Sequence, residues 1–129
     1  MAAITEDELI TSGIEAFGRC YSGVIPSPPR EMIRGDNFPG FSMKMFHDVW
    51  NGIDLPMRDK RLLILGVLAA TGGDLGNFEI HIRSALRNKE LTPNEARSVI
   101  LMVLPYVGYP RASPMNVKLE QILAESASE

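Results

Sequence analysis

The stretch RLLILGVLAATGG, residues 61–73, is apolar on every side. It is too short for a membrane span, which needs roughly 18 apolar residues. A helix with no polar face is expected at the centre of a fold, and the paired glycines 72 and 73 stop it. The remaining segments must then supply helical faces to pack around it.

They do so almost everywhere, because apolar residues recur at three- and four-residue spacing. Thr5 followed by Glu8 is a capping-box pattern, and Leu9, Ile10, Ile14, Phe17 and Tyr21 mark a helix from about 6 to 21. Residues 23–40 hold four prolines and three glycines, which predicts a connector that wraps a surface or covers a pocket. FSMKMFHDVWNG (41–52) is expected to be a short helix with Phe41, Met45, Val49 and Trp50 inward. Asp54 or a neighbour caps the next helix, with Pro56 in its first turn. A helix from about 74 to 89 follows, then one capped by Thr92 with Pro93 first and Glu95 closing the box. Pro105 is expected to kink or end that helix. Ser113 and Pro114 are read as the start of the last one, with Leu119, Ile122 and Leu123 inward. No segment reads as a strand. The expectation is one all-α domain over 1–129, of six or seven helices.

The chain has 129 residues, a hydrophobic share of 45% and a charged share of 22%, ordinary values for a globular protein. The acidic start MAAITEDELI is read as neither a signal nor a transit peptide, so a cytoplasmic location is expected. A net charge of −3 with no basic stripe gives no footprint for nucleic acid. The single cysteine, Cys20, rules out an internal disulfide, a CxxC pair and a thiolate zinc cage.

On the 74–88 helix, a turn of about 100° per residue puts Asp74, Asn77, His81 and Asn88 along one border of the buried face. Phe78, Ala85, Ile82, Leu75 and Leu86 fill the apolar arc, and Glu79 and Arg83 form an i,i+4 pair on the far side. Two readings of His81 fit this placement. It is either a histidine bonded to a neighbouring amide at a helix contact, or a cleft group acting as general acid or base beside Asn77 and the YVGYP turn. A cleft histidine would add little packing, so its removal would cost no more than about 1 kcal/mol. His47, beside Asp48, is expected on a solvated surface. Tyr106 and Tyr109 flank a turn set by Gly108 and Pro110, where their hydroxyls either line a pocket or simply pack.

WNGIDLPMRDKRLLILGVLAATGG, EIHIRSALRNKELTPNEARSVI and YVGYPRA together resemble the carboxymuconolactone decarboxylase family, in its branch without cysteines. The resemblance runs from about Phe41 to Leu123. It implies an AhpD-like all-α fold that assembles into homotrimers or hexamers, and a site with no metal or organic cofactor. It further implies a decarboxylase, acting on a small carboxylated lactone in aromatic degradation. His81 matches the family histidine and would donate the proton. Arg58 and Arg61 would hold a carboxylate, with Asp74, Asn77, Trp50, Tyr106 and Tyr109 around the substrate. Relatives that are alkyl hydroperoxidases carry cysteines where this chain has Asp74 and Asn77, so thiol peroxidase chemistry has no sulfur to work with. A glutamate usual in the family is Leu62 here, and a polar residue, often histidine, is Met102. These departures leave a second reading open, an altered or inactive member serving as an oligomeric binding protein.

Overall fold

The computed structural model describes residues 3–72 and 75–127. Among these residues it is helical throughout, without strands: α1 (Glu6–Tyr21), α2 (Phe38–Met45), α3 (Met57–Thr71), α4 (Leu75–Arg87), α5 (Pro93–Val107) and α6 (Tyr109–Ala127). The chain forms two compact units, Met1–Leu55 and Pro56–Glu129.

The first unit is built on α1. Thr5 Oγ1 accepts from the Glu8 amide at 3.1 Å and Glu8 reaches back to the Thr5 amide, so the expected capping box is present. Ile10, Ala16, Phe17 and Cys20 are buried. The proline-rich connector does wrap a surface, that of α1. Arg30, in a 3₁₀ turn at Arg30–Met32, pairs with Asp7, and Ile33 is buried. Asn37 then caps α2 through the Gly40 amide at 3.0 Å. Of the residues expected inward in the 41–52 segment, only Trp50 is buried. Phe41 is 64% exposed, while Met43, Phe46 and Trp50 are buried and Met45 and Val49 are not. The buried face already runs through Gly40 and Met43 in α2, and a π-helical turn over Phe46–Trp50 follows it. Phe46 and Trp50 stack at 6.1 Å between ring centroids, and Phe17 meets Phe46 edge-on at 5.2 Å. His47 is not simply solvated, since its Nδ1 lies 2.7 Å from Ser12 Oγ.

Helices α1 and α2 approach at Gly13, where a Cβ would stand 2.0 Å from the Met43 carbonyl oxygen. Backbone cannot yield as a side-chain end can. Gly13→Ala should therefore cost about 1–3 kcal/mol, the usual penalty of overpacking, in a denaturant titration. An unchanged midpoint would show that the two helices separate freely.

In the second unit Leu65, Ala69, Phe78, Ile82, Ala85, Ile100, Leu119 and Ile122 make one core. The arc read for α4 and the inward residues of α6 are both found there. The expected Glu79–Arg83 pair is present at 2.9 Å, and Lys118 and Glu125 extend it to α6. Thr92 and Glu95 cap α5 reciprocally. Four expectations need correction. Helix α3 is not enclosed, since Leu63 is 59% and Val67 54% exposed. It has no side-chain cap either, Pro56 being the flanking residue. Helix α5 continues past Pro105 to Val107, because Leu101 is on the exposed side, where water can take its released carbonyl. Helix α6 begins at Tyr109, four residues before Ser113. Gly108, at φ +86°, reverses the chain in one residue, and Pro110 occupies the first turn, where its missing N–H costs nothing.

No described helix is long and apolar enough to cross a membrane.

Candidate functional site

Two helices and one turn of the second unit bring charged groups into its core. Arg61 projects from the first half of α3 and is 0% exposed. A guanidinium is always charged and cannot shed its proton, so it requires acceptors when buried. Glu90 supplies two of them. Its Oε1 takes the Arg61 Nε–H at 2.9 Å and its Oε2 an Nη2–H at 3.2 Å, and the Glu90 side chain is itself 7% exposed. This fork-on-carboxylate geometry is the strongest form of ion pair.

Glu90 reaches that position because of how α4 ends. Lys89 adopts a left-handed conformation, φ +56°, and the Glu90 amide turns back to the Ala85 carbonyl at 2.9 Å. Asn88 donates to Glu90 Oε2 at 2.9 Å, and Arg58 donates to the Glu90 backbone carbonyl at 3.0 Å. The turn is thus held from both sides.

His81 completes the cluster. Its Nδ1 lies 2.8 Å from Arg61 Nη1. Because guanidinium only donates, Nδ1 accepts, and the proton of the neutral ring is on Nε2. Burial pushes the ring down to about 4, the Arg61 charge adds to the shift, and Glu90 opposes it. At ordinary pH His81 is therefore a neutral imidazole in a fixed tautomer.

The residues singled out from the sequence divide into several groups. Arg61 and His81 are in direct contact, and Asn88 joins them through Glu90. His81 is buried, 8% exposed, rather than set on an open cleft wall, and its ring is a structural partner of Arg61. The small stability cost expected for a cleft histidine does not fit that burial. Arg58 is on the outer side of the same helix, paired with Glu95 at 2.7 Å. Asn77 is exposed, and Asp74 lies outside the described residues. Tyr106 and Tyr109 are 81% and 71% exposed. Trp50 belongs to the first unit, against Phe46. Glu90 was missed. In the sequence it is one more acidic residue before a helix cap, and only the need of a buried arginine for a carboxylate points to it.

Leu62 and Met102, the two departures from the family pattern, line one open groove of about 420 Å³ with Val99, Val103 and Arg58. Its walls are mainly aliphatic.

The family model described as carboxymuconolactone decarboxylase family matches residues 38–115. No curated protein and no solved structure matches the chain.

Proposed function

The chain belongs to the carboxymuconolactone decarboxylase family, and on that premise we propose that it is a cofactor-independent lyase. Its substrate would be a small carboxylated lactone or related carboxylate of aromatic breakdown, with His81 moving the proton. The observation that supports this best is the buried Arg61–His81–Glu90 cluster. Well-packed apolar residues would serve stability as well or better, so a charged cluster on the matched helices favours a chemical role.

In such a reaction the bond to the carboxylate breaks and CO2 leaves. Its electron pair passes into the conjugated ring system, and carbon then takes up a proton. The resting imidazole is neutral. A bound carboxylate would act on it as Glu90 does, favouring the protonated form that delivers the proton. Arg61 fixes the tautomer and is buried against Glu90, whereas the pair of Arg58 with Glu95 is open to solvent and can be exchanged, so Arg58 is the better candidate to hold a substrate carboxylate, with Asn77 as a further polar contact. His81→Gln retains an acceptor for Arg61 but no titratable proton. Release of CO2 from a panel of carboxylated lactones should fall by about a hundredfold or more in the folded variant. Unchanged turnover would remove His81 from the reaction.

One observation favours a second reading. The groove bearing Leu62 and Met102 has no acid or base where the family pattern has polar groups. If no lactone in the panel yields CO2 with the unaltered protein, the oligomeric binding protein is the better description.

Either reading carries an assembly. Leu63 and Val67 on α3, and Leu101, Met102 and Tyr106 on α5, are large, apolar or aromatic, and exposed. A homotrimer, or a hexamer of two, would cover such faces. Light scattering at micromolar concentration should return a multiple of 14.2 kDa. A monomer would overturn it.

A further inference from the structure

A second cavity in the same unit has a different character. It encloses about 210 Å³ between the end of α3, the start of α4 and the first turns of α6. Leu68, Ala69, Leu75, Phe78 and Met115 give it apolar walls. Among the described residues, the one charged group that lines it is Arg111.

Arg111 differs from its neighbours. Arg58, Arg61, Arg83 and Arg97 each hold a glutamate. Arg111 has no hydrogen bond or ion pair among the described residues. Its guanidinium lies over Gly72, where a Cβ would stand 2.1 Å from Nη1. Gly72 has φ +70° and ψ −155°, a conformation other residues rarely adopt. The chain thus leaves room for this guanidinium at the cavity.

We propose that this cavity is a binding site for a small monocarboxylate with a compact apolar body, its carboxylate on Arg111 and its body against Phe78 and Leu75. Size sets the class. An apolar cavity of about 150 Å³ accepts benzene, so the one here takes a single six-membered ring and has room for a carboxylate. Charge sets the head group, because a guanidinium fork matches two carboxylate oxygens. The walls contribute affinity through burial of apolar surface, which a bare anion does not gain. This site does not depend on the lyase reading, since none of its residues belongs to the Arg61–His81–Glu90 cluster.

Calorimetric titration with benzoate, benzyl alcohol and inorganic phosphate tests it on the full chain. Benzoate should bind, with benzyl alcohol and phosphate each at least tenfold weaker. Arg111→Gln, an exposed change that leaves the core intact, should weaken benzoate tenfold or more. Leu68→Trp, which fills the cavity, should do the same, with thermal melting as the check on folding. Binding of phosphate as tightly as benzoate would reduce the site to anion attraction and overturn the proposal. So would equal binding of benzyl alcohol, absence of benzoate binding, or full affinity in folded Arg111→Gln.

Discussion

Glu90→Ala is expected to cost about 3–5 kcal/mol. The reason is what stays behind. Arg61 is fully buried, and Glu90 supplies the bidentate carboxylate that answers its charge. Without that carboxylate the guanidinium still meets the neutral His81 ring, which cannot balance a positive charge. A domain holds only about 5–15 kcal/mol in total, so the loss is a large share of the whole and should move the unfolding midpoint far down. Arg61→Met with Glu90→Leu in one chain removes both charges and should recover most of the loss. Urea titrations of the three proteins measure this directly. A single variant as stable as the parent would mean that water reaches Arg61. A double variant as unstable as Glu90→Ala would mean that the pair contributes net stability in its own right.

Acid should expose the second large effect. His81 titrates at about 4 in the folded chain because burial and Arg61 disfavour its charged form. In the unfolded chain an imidazole titrates near 6.5. Between those values the unfolded state binds a proton that the folded state refuses, so stability falls as the pH falls. Above about 6.5 neither state binds it and the contribution is intact, while below about 4 both do and the slope ends. At about 1.4 kcal/mol per unit, the whole window is worth about 3 kcal/mol. Carboxylates add slopes of their own, so the measurement is the difference from His81→Gln, taken at pH 7.5, 5.5 and 4.5. The parent should lose its advantage over the variant across that range. Parallel curves would show that the ring is not held neutral.

Much of this protein is written locally in its chain. Thr5 with Glu8, and Thr92 with Glu95, start helices by bonds spanning three residues, so nothing distant can alter them. The α4 pattern places Phe78, Ile82 and Ala85 in the core because a helical period, once set, decides every position on it. The motifs of the family, read in order along the chain, identified it without coordinates. What the sequence could not decide were matters of distance and competition. Ser113 and Pro114 are a valid helix start, yet Gly108 and Pro110 begin α6 sooner, and the earlier signal governs. Phe41 reads as inward from its spacing to Met45 and Val49, yet Met43 and Phe46 are the buried residues, a choice made by what packs against the segment. Arg61 and Glu90 are 29 residues apart, and each alone resembles an ordinary surface charge. Only the packing of α3 against the end of α4 removes both from water, and that loss of solvent makes His81 a neutral base in one tautomer. Local bonds thus determined the helices. The tertiary structure alone decided which charges had to meet, because the cost of burying an ion depends on what surrounds it.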